Sequence, residues 1–264
     1  MSLAGTVATE VCRLKSLIEP KRVCGTFRGF TEGGLEFHAD LTIPYHPDLS
    51  VMLLHGSFLL VELSDSEAVV GRVTSLRSEG SLTSPEGEDF LLRLSKRGEP
   101  PPEDIREHYL KYRVDLRVLG VVRLDRNGPV FVPSHRRIPH VGSKVAFPCE
   151  TLLRWLCGHY DNGVPVGFLA MGEFVWAPED SGGDLSIPPL KPEPWMRCMP
   201  SPVLVRFAVH SLISRRTFVF ARAGFGKSNV LKLLFSELYR QRPTVPRPSG
   251  EAPVGALIFD RDGE

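Results

Sequence analysis

The first two thirds of the chain alternate apolar and polar residues in short runs that are typical of β-strands. Residues 57–63 (SFLLVEL) and 68–76 (AVVGRVTSL) flank a polar turn, and this arrangement predicts a β-hairpin. A second hairpin is predicted within residues 112–132, because an Asn-Gly pair supplies the positive φ that a tight turn needs. Gly71 interrupts the run at 68–76 and predicts a bulge or a barrel corner there.

Further short strands are predicted at residues 35–43, 143–147 and 173–176. Many short antiparallel strands within about 150 residues are typical of a small barrel or sandwich. We therefore expect residues 1–178 to form a β-rich, barrel-like domain with insertions.

The insertions and short helices of this region are predicted from composition and helix-end signals. Residues 79–104 are rich in Gly, Ser, Pro and Glu, which predicts an exposed insertion. Residues 102–112 begin with proline and acids, which are common in the first turn of a helix, so a short helix is predicted there. Residues 149–157 (CETLLRWLC) form a second candidate helix that ends at Gly158.

A proline-rich stretch separates this region from the rest of the chain. Seven prolines fall between positions 178 and 202, and such a stretch is typical of a boundary between domains. Residues 179–202 are therefore predicted to be a linker.

Residues 203–264 show a different pattern, in which strands and helices alternate. The predicted elements, in chain order, are a helix at 203–214, a buried strand at 217–220, an amphipathic helix at about 226–240, a proline-rich loop at 241–253 and an apolar strand at 255–259. Strand, helix and strand in this order predict a βαβ unit. The fold class that follows is a multidomain α+β protein, with a β-rich N-terminal barrel or sandwich followed by the start of an α/β domain.

The loop between the predicted strand and helix, residues 221–228 (ARAGFGKS), resembles a phosphate-binding loop. Backbone N–H groups at the start of the helix would point at a phosphate, and the helix dipole favours the negative charge there. Lys227 would bridge the β- and γ-phosphates of ATP, and the Ser228 hydroxyl would bind Mg²⁺. The residues predicted to contact the nucleotide are Gly224, Phe225, Gly226, Lys227, Ser228 and Asn229.

One feature of this motif leaves an alternative open. Ala221 occupies the position of the first glycine of the template, so the entry to the loop differs from the usual one. The alternative interpretation is a glycine turn that caps a helix, with Lys227 in solvent.

An acidic stretch follows the second predicted strand of the βαβ unit. Ligands of open parallel sheets lie outside the carboxyl ends of the strands, and carboxylates there hold Mg²⁺ or orient an attacking water. Asp260 and Glu264 are the candidate catalytic residues of this stretch. Acidic turns after strands are common, so an ordinary solvent-exposed turn is the alternative.

Charge is distributed unevenly along the chain, although the formal net charge is only +1 at pH 7. Residues 191–247 contain eleven lysines and arginines but two acids. This basic segment fits a phosphate ligand and would tolerate nucleic acid, whereas a solvated basic face is the alternative.

The cysteines and the absence of long apolar runs indicate a cytoplasmic protein. The five cysteines are odd in number and include no Cys-x-x-Cys pair, as expected of reduced thiols. No apolar run approaches the ~18 residues that a membrane span needs. The N-terminus lacks the apolar core of a signal peptide.

Residues 218–234 (FVFARAGFGKSNVLKLL) and 257–264 (LIFDRDGE) resemble the HerA-type ATPases of the HerA/FtsK branch. Asp260, Gly263 and Glu264 match the family's I-F-D-P-H-G-E stretch, while Arg261 and Asp262 replace its Pro and His. The family also carries an N-terminal barrel of the ATP-synthase type. Residues 166–169 are similar to the short strand with which the family enters its RecA-like ATPase domain.

The resemblance implies ATP hydrolysis with Mg²⁺ that drives movement along duplex DNA, in a homo-hexameric ring and with a possible nuclease partner. A complete core of this kind needs more strands than residues 203–264 encode, so we expect this chain to be an N-terminal part of such an ATPase. A non-catalytic oligomerisation or partner-binding module with a vestigial nucleotide loop is the alternative function. A small-molecule kinase is a third possibility.

Overall fold

The computed structural model describes residues 14, 16–31, 38–46, 55–126, 128–133, 137–161, 163–178, 190–199, 201–208, 216, 218–220, 226–240, 242 and 244–257. The chain divides into two compact units. The first is Met1–Trp155 with Ala170–Phe174, and the second is Leu156–Leu169 with Val175–Glu264.

Seven antiparallel strands form the main sheet of the first unit. They are β1 (Val23–Thr31), β2 (His38–Pro44), β3 (Phe58–Ser64), β4 (Glu67–Glu79), β5 (Lys111–Asp125), β6 (Gly128–Val132) and β7 (Lys144–Ala146). Their order is β2-β1-β7-β3-β4-β5-β6, and β2 also pairs with β5. This last pairing closes six strands into a barrel, while β6 pairs with residues 121–125 of β5, beyond the part of β5 that pairs with β2. The barrel predicted from sequence is therefore confirmed.

Alternation along the strands places one set of side chains inside the barrel. In β2, for example, Ala39, Leu41 and Ile43 lie in the core, and Asp40 and Thr42 face the other way. Apolar residues of β1, β3, β4, β5 and β7 complete the same core. Because β2 pairs with β5, each of these six strands has a hydrogen-bonded neighbour on both sides.

Both predicted hairpins are present. Strands β3 and β4 pair in the first, and β5 and β6 pair in the second, where Gly128 has a φ of 110°. The register of β4 against β5 shifts at Gly71, as predicted. A Cβ atom on Gly71 would lie 2.6 Å from Cγ of Leu116, so the two strands approach too closely here for a larger residue.

Four α-helices are described: α1 (Pro85–Arg97), α2 (Glu103–Tyr109), α3 (Glu150–Leu156) and α4 (Lys227–Arg240). Two 3-10 turns, Pro20–Arg22 and Ser81–Thr83, accompany them. The predictions of α2, α3 and α4 are confirmed. None of the helices in the described ranges is long and apolar enough to cross a membrane.

Strands outside the main sheet are short. They are β8 (Val164–Phe168), β9 (Ala170–Met171), β10 (Phe174–Val175), β11 (Arg197–Cys198), β12 (Leu204–Phe207), β13 (Thr244–Arg247) and β14 (Gly250–Pro253). Strand β12 pairs with β8, β13 pairs with β14, and β11-β10-β9 form a three-stranded sheet.

Two elements of the barrel region were missed from sequence. Strand β1 was not predicted, and helix α1 lies inside the segment 79–104 that was expected to be an exposed insertion. The helix has clear ends, since the Ser84 hydroxyl accepts a hydrogen bond from the Gly87 N–H at 3.3 Å and Gly98 adopts a left-handed φ of 69°.

Two predictions for the C-terminal segment were wrong. The helix predicted at 203–214 is contradicted at residues 204–207, which form β12 and pair with β8, while residues 209–214 lie outside the described residues. The predicted loop at 241–253 contains the β13–β14 hairpin, whose Gly250 has a φ of 118°. A tight turn between Arg247 and Gly250 allows this pairing despite the prolines.

The strands predicted before and after α4 are not formed at those of their residues that the structure describes. Residues 218–220 and 255–257 lie outside any strand, and residues 217, 258 and 259 are not among the described residues. A strand needs neighbours to satisfy its backbone, and no described strand pairs with these segments. The βαβ start of a RecA-like domain therefore stays a prediction.

Candidate functional site

Gly226 lies in the predicted phosphate-binding loop and adopts a backbone conformation that favours glycine. Its φ is 75°, in the left-handed region, and Lys227 directly after it begins α4. A Cβ atom at Gly226 would meet no other atom within 4 Å. The backbone conformation, and not the available space, is therefore what requires glycine here.

Helix α4 presents its N-terminal N–H groups directly after this glycine. The first hydrogen bond of the helix runs from the Val230 N–H to the Gly226 carbonyl oxygen at 2.9 Å. The N–H groups at the start of an α-helix lie ahead of its first internal hydrogen bond and point out of the helix end. An anion at this end is favoured by the N–H groups and by the helix dipole.

The side chains of the first turn are accessible to a ligand. Lys227 and Asn229 are exposed and Ser228 is half-buried. Among the described residues, no carboxylate forms an ion pair with the Lys227 ammonium group. An ammonium, a hydroxyl and an amide within three consecutive residues can bind a phosphate group and a metal ion bound to it.

The C-terminal half of α4 is fixed by packing against β8. Val164 of β8 and Leu238 of α4 are buried together, and Leu234 packs against them. The N-terminal half differs, since Val230 is 44% exposed and Leu231 is 38% exposed. The helix is thus held at the end distant from the proposed phosphate site.

Hydrogen bonds that involve side chains join β12 to the residues just before β8. The backbone N–H of Leu204 donates to Nδ1 of His159 at 2.8 Å. The guanidinium of Arg206 donates to the carbonyl oxygens of His159 and Gly163, both at 3.2 Å. Sequence reasoning did not identify these hydrogen bonds, because the bonded partners are at least 43 residues apart and no short motif joins them.

The structure describes only part of the predicted site. Gly226, Lys227, Ser228 and Asn229 lie together at the start of α4, as the motif predicts. Gly224, Phe225, Asp260 and Glu264 lie outside the described residues, so their predicted roles stay predictions. Within the part of the chain that the structure describes, no group of three or more His, Cys, Asp or Glu side chains is arranged to hold a metal ion.

Residues 198–264 match the family described as helicase HerA, central domain. No curated protein matches the chain significantly. The matched segment contains both motifs that carried the resemblance, and it supports a relationship of this segment to the HerA-type ATPases.

Proposed function

We propose that this chain binds ATP with Mg²⁺ through residues 221–229, and that residues 203–264 begin the RecA-like ATPase domain of a HerA-type DNA translocase. The observation that carries the proposal is the left-handed Gly226 followed directly by Lys227 and Ser228 at the start of a fourteen-residue helix. The match of residues 198–264 to the HerA central domain supports it independently.

Each residue of the loop has a role that its chemistry supports. The backbone of Gly224, Phe225 and Gly226 lets the loop curve around the β-phosphate. The N–H groups that open α4, including that of Asn229, donate to phosphate oxygens. Lys227 neutralises the β- and γ-phosphates, and the Ser228 hydroxyl is a ligand of Mg²⁺.

Asp260 and Glu264 are proposed to act at the γ-phosphate. A carboxylate near Mg²⁺ completes the metal's ligand shell, and a second one orients the attacking water. Both residues lie within the family match, at positions where the sequence resembles the I-F-D-P-H-G-E stretch.

Movement along duplex DNA, a homo-hexameric ring, a nuclease partner and a cytoplasmic location are further parts of the proposal. They rest on the resemblance to HerA-type translocases. The basic segment 191–247, with eleven lysines and arginines and two acids, supports a polyanionic partner.

Binding of a fluorescent ATP analogue tests the nucleotide site. The measurement compares the unaltered chain with Lys227→Ala in the presence and absence of Mg²⁺. Lys232→Ala is the matched control, because Lys232 is an exposed lysine of the same helix. We expect Mg²⁺-dependent binding that Lys227→Ala weakens at least about tenfold and Lys232→Ala leaves unchanged.

Equal binding by the Lys227→Ala and Lys232→Ala proteins would show that the loop is not the nucleotide site. Ser228→Ala then adds a test of the metal ligand. It should reduce the dependence on Mg²⁺ while leaving the weaker, metal-free binding in place.

The second candidate function is a non-catalytic oligomerisation or partner-binding module. One observation favours it: the barrel of the first unit closes six strands around a core of its own. Such a unit can act without the nucleotide loop. A chain that binds no nucleotide but elutes as an oligomer in size-exclusion chromatography would support the module over the ATPase.

A further inference from the structure

Hydrogen bonding at the start of β12 involves one histidine side chain. The Val203 N–H donates to the Trp176 carbonyl oxygen, and the Val203 carbonyl oxygen accepts from the Leu169 N–H, both at 2.9 Å. The next N–H along the chain, that of Leu204, donates to Nδ1 of His159 at 2.8 Å. Because Leu204 is only 2% exposed, its N–H group needs an acceptor within the protein.

The direction of this hydrogen bond fixes the protonation state of the His159 ring. A backbone N–H can only donate, so Nδ1 accepts through its lone pair and carries no proton. The ring is therefore neutral, with its proton on Nε2. An imidazolium carries a proton on both nitrogens, and its Nδ1–H would face the Leu204 N–H. The hydrogen bond and a charged ring therefore exclude each other.

Solvent protons can reach this ring, although the group that it binds is buried. His159 is half-buried, whereas Leu204 is buried. Histidine is the side chain whose ordinary titration falls in mildly acidic solution, near pH ~6.5. Protonation would leave the buried Leu204 N–H without this acceptor, and such a loss is costly inside a protein.

Two charged groups lie on the elements around the ring. Arg206, the only charged residue of β12, donates to the His159 carbonyl oxygen at 3.2 Å and brings a permanent positive charge to this turn. Asp161 follows two residues after His159 and is the acid that would favour a positive ring. Its Oδ2 atom lies 2.9 Å from the position that a Cβ atom on Gly158 would take. The two charges have opposite effects on a protonated ring.

The other titratable groups near this turn are neutral or paired in mildly acidic solution. The Tyr160 ring contacts the His159 ring edge-on, with centroids 5.0 Å apart. Burial raises the pKa of Cys157 to about 11, so this thiol keeps its proton. Strand β8 has no charged residue. On α4, which packs against β8, Glu237 and Arg240 pair with each other at 2.6 Å.

We propose that His159 is a pH-sensitive latch on β12: the neutral ring holds the start of the strand, and protonation in mildly acidic solution releases it. The latched form excludes the proton and the released form takes it up. Each pH unit below about 6.5 therefore shifts the equilibrium toward release by up to about tenfold, and the contact is fully formed above that pH. The latch belongs to the second unit and does not depend on the nucleotide site proposed above.

Release of the latch affects α4 through β8. Phe207 of β12 pairs with Val164 of β8, and Val164 is buried together with Leu238 of α4. When the start of β12 is released, β8 loses part of its support, and the C-terminal half of α4 packs on that strand. Acidification should thus loosen the helix at the end that the sheet holds.

Nitrogen-15 NMR of the uniformly labelled full chain tests the latch between about pH 5 and about pH 8. We expect the His159 ring to stay neutral, with its proton on Nε2, down to about pH 6, and to gain the second proton together with a shift of the Leu204 amide signal. His140 is the reference, because it is exposed in the first unit. If His159 titrated over the same range as His140 while the Leu204 signal stayed constant, the proposal would be overturned.

Urea denaturation at the same pH values compares the unaltered side chain with His159→Asn, which keeps an acceptor and binds no proton. His140→Asn is the matched control. All three proteins carry Trp155→Phe, so that fluorescence of Trp176 and Trp195 reports on the second unit alone.

From about pH 7.5 to about pH 5.5, the unfolding constant with His159 present should rise about tenfold more than that of His159→Asn. The His140→Asn protein should follow the protein that retains both histidines. An identical pH dependence in all three would overturn the latch. If His159→Asn does not fold, the NMR titration of the unaltered chain decides alone.

Discussion

The guanidinium of Arg113 on β5 and the carboxylate of Asp40 on β2 form a pair of 2.5 Å hydrogen bonds across the strands that close the barrel. Asp40 is 7% exposed, although its side chain lies on the outer face of the sheet. The hydrogen bond to Asp40 is the main cause that raises the pKa of Arg113. A two-point contact between these strands stabilises the closure in addition to the backbone ladder.

Replacement of Asp40 by alanine should therefore destabilise the barrel. Alanine removes the carboxylate that accepts two hydrogen bonds from Arg113 and leaves Glu79 as the remaining acceptor, so we expect a loss of about 2 kcal/mol in the free energy of unfolding. Asp40→Asn should lose less, because the amide keeps one acceptor. Urea denaturation followed by tryptophan fluorescence gives the free energies.

Asp65→Ala is the control for this measurement, because Asp65 is exposed in the turn between β3 and β4. A change of at most about 0.5 kcal/mol is expected there. If the Asp40 and Asp65 variants unfolded at the same urea concentration, the pair would contribute nothing to closure.

The contact between His159 and the backbone of β12 gives a second prediction. The imidazole accepts a hydrogen bond from the Leu204 N–H at 2.8 Å. His159→Phe keeps a ring of similar size but removes the acceptor, so the free energy of unfolding should fall by about 1–3 kcal/mol. His159→Asn places a carbonyl oxygen near the position of Nδ1 and should lose less. Equal losses in the two variants would show that packing of the ring, and not the hydrogen bond, is what matters.

The barrel could be predicted because its strands carry their signals locally. Alternation and turn residues identified the β3–β4 and β5–β6 hairpins, and the register shift at Gly71 followed from a single glycine within a strand. The β2–β5 pairing that closes the barrel could not be predicted, because nothing local specifies a partner that is 73 residues away, as Arg113 is from Asp40.

Predictions for the C-terminal segment succeeded where the signal was local and failed where it depended on neighbours. The start of α4 at Lys227 followed from the glycine before it and from the spacing of apolar residues. Residues 204–207 form a strand only because β8 pairs with them. The glycine-rich loop is a contiguous motif and could be recognised, whereas the contact between Arg113 and Asp40 joins two strands that are distant in sequence and required the register.

Alkaline pH should destabilise the protein through its buried thiols. Burial is the main cause that raises the pKa of Cys24 from 9.0 to about 12. The unfolded chain therefore loses this proton first as the pH rises, and stability falls between pH 9.0 and about 12. Burial also raises the pKa of Cys157 to about 11, so that thiol adds to the same loss.

Chemical denaturation at a series of pH values from about 8 to about 10.5 measures this effect. Cys24→Ala should be less stable at the lower pH but should lose less stability as the pH rises. Cys198→Ala is the control, because Cys198 is only half-buried. If the stability of Cys24→Ala and of the unaltered chain depended on pH in the same way, the Cys24 thiol would not be a source of the loss of stability at alkaline pH.

The packing of α4 against β8 should decide how well the helix is ordered. Leu238 is 8% exposed beside Val164, whereas Leu231 of the same helix is 38% exposed. Leu238→Ala should therefore destabilise the helix by about 2 kcal/mol and raise the amide exchange of α4 about thirtyfold. Leu231→Ala removes the same atoms from a more exposed position and should change exchange much less. Similar exchange in both variants would mean that this contact does not hold the helix.

The conformation of Gly226 links the structure of the loop to nucleotide binding. Alanine has room there, since no atom lies within 4 Å of a Cβ atom at Gly226, but a φ of 75° costs a residue with a side chain about 1–2 kcal/mol. Gly226→Ala should therefore weaken binding of the ATP analogue about tenfold, and Gly226→Asn should lose less, because asparagine tolerates the left-handed region. Gly255→Ala is the control, since its Cβ atom also meets nothing within 4 Å and its φ lies outside the left-handed region. The graded order of glycine, asparagine and alanine is the decisive result. Equal binding by the three proteins would show that the left-handed turn does not position the first turn of α4 for a phosphate.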